Sequence, residues 1–537
     1  MYRLKNIIDS SILHLIILFL LFLALILILN PSLSFDPDFI KHWSTYKRDD
    51  IVFIYNSLLY NEGLEQHHLD HPSLFTFIIF PIFYKFFFFL GGLDFYNLSG
   101  FIESDNINLS LSKLFYISRL VIQIFSIGII FLFYKIVSKF FSRDIDAFLV
   151  SILFIFSIGF TSASNRIESG LIALFFLLLG FYFLLKFLQI NKKKNLIYLT
   201  IFFIFIFSAM MQKKIIYFSI PFLIFSSLMV MKKNEIYYFK YKIFKSYSVY
   251  KILLFLLYIL VFVFITFKTI INNTSHLNRD LDFAFLVINY SGFNILFFLY
   301  IKYFQNKFYQ NLLTYNLLFG FVYFFYKYFL IYFFSAPVAI WSIAFTNFLG
   351  QLNMFVTSEN VKEAFSFGSF NLYLLDLINN LKLVFIKYFF SYSFQSVLVW
   401  SNLVLFFINI FKIEFKEKIS IASLFFGFLF VQSIILFRYE QDTYFLNSEF
   451  LLLISLSLLL KYLKFNLKYT IILFILIGSS IFANLEHLKK IKKDNLNSFC
   501  NLFKNEDTYE SSDKFYEYWT SKIPKNYRKR FCIDYSL

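Results

Sequence analysis

An all-α, multi-pass bundle of membrane-spanning helices is the fold class this sequence predicts, and three observations carry it. Apolar residues make up 59% of the chain and charged residues only 15%, against roughly 25% charged in a soluble globular protein. The apolar residues fall in long runs, and about 20 such residues cross a bilayer as a helix. The lysines and arginines gather between the runs, and the chain can be threaded so that the strongly basic stretches share one side, as cytoplasmic loops do. Topology therefore accounts for the net charge of +17. Nucleic acid is set aside as a partner because no basic face interleaved with stacking aromatics is visible. The 85 phenylalanines are read as the habit of an AT-rich genome, not as designed aromatic sites.

Taken in order, the first run, Ile12 to Leu29, is broken only by His14 and preceded by Arg3 and Lys5. It is longer than a signal-peptide core. It is therefore read as an uncleaved anchor with its N-terminus in the cytoplasm, over the rival of cleavage near Ser32-Leu33-Ser34. The run Leu74 to Leu90 is assigned to a re-entrant or interfacial helix on charge grounds. If the helix from about Tyr116 to Tyr134 crosses once, the basic stretch Lys135 to Arg143 lies inside and the acidic stretch Asp94 to Asn108 outside. Crossings follow near 146–163, 169–187, 195–211, 214–231, 251–270, 282–301, 312–335, 395–412, 420–436, 445–461 and 468–485. With the first two they total about thirteen, placing Lys192-Lys193-Lys194, Lys232 to Lys251, Lys302 to Lys307, Lys412 to Lys418 and Lys461 to Lys468 inside.

Residues 1–485 thus read as one transmembrane domain with two large external regions, 31–112 and 336–394, followed by a polar external tail over 486–537. Both cysteines, Cys500 and Cys532, lie in that tail. A disulfide and two free thiols are both open there; the external placement favours the bridge, and the basic cluster Lys489 to Lys493 argues against that placement. No internal repeat, glycine-rich phosphate loop or metal-type Cys/His spacing is present.

The densest group of ionisable side chains runs from Arg48 to Leu74, RDDIVFIYNSLLYNEGLEQHHLDHPSL. It holds adjacent carboxylates, Asp49 and Asp50, a short helix-like segment with Tyr55 and Tyr60, a glycine stop at Gly63 and a turn at His71-Pro72. A carboxylate within hydrogen-bond reach can take a proton from an acceptor hydroxyl, and a pair can hold a divalent cation against a phosphate leaving group. The bland alternative is a solvated charge pair beside Lys47 and Arg48. His67, His68 and His71 could bind a transition metal but lack the further ligands of a tetrahedral site, and a polar turn is the reading preferred for them.

This stretch resembles the first extracytoplasmic loop of the GT-C superfamily of integral-membrane glycosyltransferases, of the protein O-mannosyltransferase and lipid A aminoarabinose transferase types. The matching residues are Asp49-Asp50, Tyr55, Leu58-Leu59, Gly63 and His71-Pro72-Ser73-Leu74; Asp50 stands where Glu is commoner, and Ser73 where a second Pro is usual. Recognisable motifs cover roughly residues 1–230. The resemblance implies transfer of a hexose or pentose from a polyprenyl-phosphate-linked donor to a lipid, glycan or protein acceptor. The active site would face outward from a bacterial cytoplasmic membrane, and a single displacement would invert the anomeric carbon. Asp49 and Asp50 become the catalytic carboxylates, and Tyr55 and His71 contacts to substrate or loop. Glu168, in Ser164-Asn165-Arg166-Ile167-Glu168, becomes a second metal or acceptor-positioning carboxylate. Arg166, Lys213 and Arg438 become contacts to the donor phosphate, although the turn FRYEQDTYFLNSEFLLL after Arg438 lacks the proline usual in such families. A divalent cation (Mg, Mn or Ca) on Asp50 and Glu168 is an optional cofactor. Each assignment has a structural rival: Glu168 complements a helix dipole, and Lys213 snorkels to ordinary membrane lipids. The functional rivals are a transporter or flippase of lipid-linked saccharide, and a polysaccharide polymerase or ligase.

Overall fold

The computed structural model describes residues 11–29, 48–64, 73–104, 107–141, 144–189, 195–230, 367–436, 442–462 and 467–494. Among them every regular element is a helix, because a run with no water around it satisfies its peptide groups internally only as a helix or a closed barrel. In chain order these are α1 (Ser11–Leu29), α2 (Arg48–Glu62), α3 (Thr76–Phe89), α4 (Leu98–Ile102), α5 (Ile107–Val137), α6 (Asp144–Ile155), α7 (Ile158–Ser164) and α8 (Ser169–Gln189). There follow α9 (Asn195–Gln212), α10 (Ile220–Val230), α11 (Phe367–Phe390), α12 (Phe394–Asn409), α13 (Phe415–Ile435), α14 (Leu446–Leu460) and α15 (Leu467–Asp494). Two 3-10 turns, Lys214–Phe218 and Asp442–Phe445, precede α10 and α14.

The bundle is built around α14, every residue of which is buried. After a polar first turn of Asn447, Ser448 and Glu449 its sequence is apolar apart from Ser455 and Ser457, as a fully surrounded helix requires, and Ser457 donates back to the Leu453 carbonyl at 2.7 Å, so its hydroxyl is satisfied within the helix. At the margin, α1 buries His14, Leu18, Phe22 and Leu25 and leaves Ile12, Leu20 and Ile28 exposed. The polar break in this run is accommodated inward: His14 Nδ1 meets the Tyr134 hydroxyl at 3.1 Å, and its ring stacks on Phe148.

Among the described residues five helical stretches, Ser11–Leu29, Ser112–Val137, Ser169–Gln189, Phe415–Ile435 and Thr443–Leu460, are long and apolar enough to cross a membrane. Two bent pairs raise this to seven: α6 and α7 meet at 64°, and α11 and α12 at 86°. The expected crossings near 251–270, 282–301 and 312–335 lie outside the described residues, as do His67, His68, His71, Arg438, Cys500 and Cys532.

Several elements differ from the hydropathy reading. The expected continuous span 146–163 breaks because Ser157 starts a new helix, its hydroxyl accepting from Phe160 N at 3.4 Å. The expected span 214–231 opens with a 3-10 turn over Lys214–Phe218 before α10 begins. The region 336–394, expected to be external with interfacial helices of its own, includes α11, and α15 runs past the expected end at 485 to Asp494.

Helices α2, α3 and α4 pack together and against α5. At Gly63 the amides of Gly63 and Leu64 return to the carbonyls of Tyr60 and Leu59 at 3.1 and 3.0 Å, and Gly63 has φ +75°, a left-handed helix stop that favours glycine. Gly63→Ala is expected to cost about 1–2 kcal/mol, read as a lower thermal midpoint, with no steric term because no atom lies within 4 Å of an added Cβ. Asn61 donates to the carbonyls of Pro81 and Tyr96 at 3.2 and 2.7 Å, joining α2 to α3 and to the segment before α4. Glu62 accepts from Ser99 N and Oγ at 3.1 and 2.6 Å, capping α4, and these bonds hold its carboxyl below the usual range. α3 has 14 residues, roughly 21 Å against a core of about 30 Å.

Candidate functional site

A carboxylate taken out of water needs a partner, and Asp50, in the first turn of α2, has two. Its Oδ2 accepts from Arg119 Nη2 at 2.7 Å, and its Oδ1 accepts from the Ile167 amide at 2.9 Å. Both members of the ion pair are about 2% exposed. Burial pushes the Asp50 carboxyl up; Arg119, the Ile167 amide and Arg166 pull against that rise, and the net direction is upward. Arg119 sits about three turns into α5, inside a helix long enough to span a membrane. Gln123, on the same helix, donates to the Ser164 carbonyl and holds the loop between α7 and α8 against α5.

That loop carries Arg166 and Glu168. Glu168 Oε1 accepts from Lys213 Nζ at 3.3 Å, and Glu168 Oε2 is buried with no hydrogen-bond partner among the described residues. The ion pair is long beside the 2.7–2.9 Å of a tight charged bond, so Lys213 is held near the carboxylate without being locked to it. Lys213 Nζ also lies 5.0 Å from the centre of the Tyr444 ring, which brings the 3-10 turn before α14 to the same place.

The position of Lys213 follows from its neighbour. Gln212 is fully buried, and its Oε1 accepts from the amides of Phe75 and Thr76 at 2.8 and 3.2 Å. Its Nε2 donates to Thr76 Oγ1 and to the Ser169 carbonyl. Phe75 supplies no side-chain cap of its own to α3; Gln212 supplies it from α9 and ties the starts of α3 and α8 to the end of α9. A second buried carboxylate fixes the turn beside Tyr444. Glu449 Oε2 accepts from Gly159 N at 2.8 Å, and its Oε1 accepts from Gln395 Nε2 at 2.7 Å. His487 Nε2 meets Ser162 Oγ at 2.8 Å. Helix α7 is thus held by α14 and α15 while its last residues hand over to the Arg166 loop.

Of the residues singled out in the sequence, Asp50 meets the Arg166–Glu168 loop through the Ile167 amide, 117 positions away, and Lys213 meets Glu168 from 45 positions away. Tyr55 lies half-buried further along α2. Asp49 lies beside Asp50 in the same helical turn. Arg438 and His71 are outside the described residues, although Tyr444, from the same turn region as Arg438, does reach Lys213. The pairing of Asp50 with Glu168 around a divalent cation does not suit these contacts: both Asp50 oxygens are engaged and Lys213 stands on Glu168, leaving Glu168 Oε2 as the one open oxygen of the pair. Among the described residues no group of three or more His, Cys, Asp or Glu could hold a metal.

Sequence reasoning missed Arg119, Gln212 and Glu449. Arg119 carried a signal, since an ionisable residue inside an apolar helix is expensive and marks a partner or a pathway. Gln212 carried none: a polar residue at the end of an apolar run looks like any other.

The fold and helix lengths are those of an integral membrane protein of the all-helical class. No protein-family model, no curated protein and no solved structure matches the chain.

Proposed function

We propose that this protein is a GT-C-like glycosyltransferase that moves a sugar from a polyprenyl-phosphate donor to an acceptor hydroxyl at the membrane surface. The observation that carries the reading is the meeting of Asp50, the Arg166–Glu168 loop and Lys213 at one place, the residues that the resemblance marks as acid, acid and phosphate contact. In the reaction the acceptor oxygen bonds to the anomeric carbon, the bond from that carbon to the phosphate oxygen breaks, and polyprenyl phosphate leaves. The acceptor proton passes to a carboxylate. Asp50, with both oxygens committed, is assigned to positioning the loop. Asp49 is assigned as base, and the open Glu168 Oε2 orients the acceptor hydroxyl. Lys213 and Arg166 meet the phosphate, whose growing charge draws Lys213 from its long contact with Glu168.

The test is release of polyprenyl phosphate from a polyprenyl-phosphate hexose or aminopentose by the full-length protein, with and without an acceptor panel. Asp49→Asn and Glu168→Gln are each expected to lower the rate by about 100-fold at an unchanged thermal midpoint. Full activity in both variants would remove the assignment. The two bent helix pairs are a feature shared with transporters of lipid-linked saccharides. Movement of intact donor across a proteoliposome without phosphate release would favour that reading instead.

A further inference from the structure

The end of the bundle away from Glu168 holds a different arrangement of charge. Lys186 follows Glu168 by five turns of α8, roughly 27 Å along the helix, a distance close to the thickness of a bilayer core. Lys139 lies just past the end of α5. Its Nζ is 4.8 Å from the centre of the Tyr182 ring, and Lys186 Nζ is 5.6 Å from the centre of the same ring. Lys139 also donates to Gln189 Oε1 at 2.8 Å. Among the described residues neither lysine stands within ion-pair distance of a carboxylate.

We infer that Lys139, Lys186 and Tyr182 form a binding site for a phosphate-bearing anion at the membrane face opposite the carboxylate site. Lysines that merely snorkel extend from their own helices toward separate headgroups. Here Lys139, from the turn after α5, comes onto the Tyr182 ring that Lys186 already meets from the next turn of α8, and like charges repel each other there in a half-buried setting. Burial and the neighbouring Lys186 push Lys139 down to about 8, the mark of a cation that lacks its counter-charge. A phosphate oxygen between the two ammonium groups supplies it through charge-assisted bonds, and the Tyr182 hydroxyl adds a neutral donor. The depth, at the ends of two spanning helices with an amphipathic tyrosine one turn inside, is that of a phospholipid headgroup. A free phosphate presents the same chemistry, and the experiment separates the two sources.

The full-length protein in detergent is analysed by native mass spectrometry with dioleoyl phosphatidic acid, with dioleoyl phosphatidylcholine and with inorganic phosphate as separate probes. Phosphatidic acid is expected to bind in preference to phosphatidylcholine. Its affinity should fall about 30-fold in the Lys139→Gln, Lys186→Gln double variant and about fivefold in each single variant. The Lys139→Arg, Lys186→Arg chain should retain it, and Lys113→Gln, whose parent lysine pairs with exposed Asp94, should leave it unchanged. Competition by millimolar inorganic phosphate identifies a free anion as the ligand; resistance to it identifies the headgroup. Binding of both phosphate probes unchanged in the double and single Gln variants overturns the site, and so does an equal loss in Lys113→Gln.

Discussion

Arg119→Ala is expected to cost about 3–5 kcal/mol, most of the margin of a protein of ordinary stability, and to abolish transfer. The reason is the state in which it leaves Asp50. That carboxylate is about 2% exposed and keeps only the Ile167 amide and the weaker pull of Arg166, so removing the guanidinium leaves a buried anion without its ion-pair partner. The pH dependence then has a definite sign. A buried acid whose folded pKa lies above its unfolded value contributes stability that is fully present below the unfolded value and is lost as pH rises through the folded one. Asp50 is already raised with Arg119 in place, and without it the rise is larger. The Arg119→Ala protein should therefore gain thermal stability as pH is lowered from neutrality, where the wild type gains less. Removing both charges gives a contrasting result. The Asp50→Leu, Arg119→Met double variant escapes the desolvation penalty and leaves only the Ile167 amide unpaired, a cost of about 1–3 kcal/mol, so it should fold better than Arg119→Ala and still fail to transfer sugar. A double variant no more stable than the single would show that Asp50 and Arg119 are not energetically coupled.

How far the sequence reaches can be judged at particular residues. Ile12 to Leu29 is helical throughout as part of α1, because a long apolar run has few other conformations open to it. Gly63 stops α2 where a left-handed residue is needed, a local demand that one residue type meets most cheaply. The junction over 164–168 and Lys213 are found from motif position, and Glu168 does meet Lys213. What escapes is set by contacts between distant segments. The partner of Asp50 is 69 positions away in the middle of an apolar helix, and no local pattern points from one to the other. The break between α6 and α7 is equally hidden: Phe156-Ser157-Ile158 continues an apolar run, and hydropathy averages over it. Ser157 opens a new helix there because α7 must turn to present Gly159 to a helix nearly three hundred residues later.

That contact makes Gly159 the position least able to accept a side chain. A Cβ there would stand 2.0 Å from the Leu446 amide nitrogen and 2.5 Å from both Leu446 Cα and the Phe445 carbonyl carbon. All three are backbone atoms at the start of the fully buried α14, so no rotamer change relieves the clash. Gly159→Ala is expected to force α7 and α14 apart, at about 1–3 kcal/mol for overpacking and about 1.5–3 kcal/mol more for the charged bond between Gly159 N and Glu449. The sum, about 2.5–6 kcal/mol, reaches the lower end of the stability of a typical domain. The measurable result is loss of monodisperse protein on size-exclusion chromatography in detergent, at temperatures where the wild type is intact. Gly478→Ala is the control. Nothing lies within 4 Å of a Cβ at that position on α15, and the change should be neutral or stabilising by up to about 1 kcal/mol. If some folded Gly159→Ala protein is recovered at low temperature, its defect should extend to transfer. The atoms displaced are the backbone of Phe445 and Leu446, and Tyr444, whose ring stands against Lys213, is next in the chain. Wild-type stability in Gly159→Ala would mean that α7 does not rest on Phe445 and Leu446, and the route by which Tyr444 is brought to Lys213 would have to be sought elsewhere.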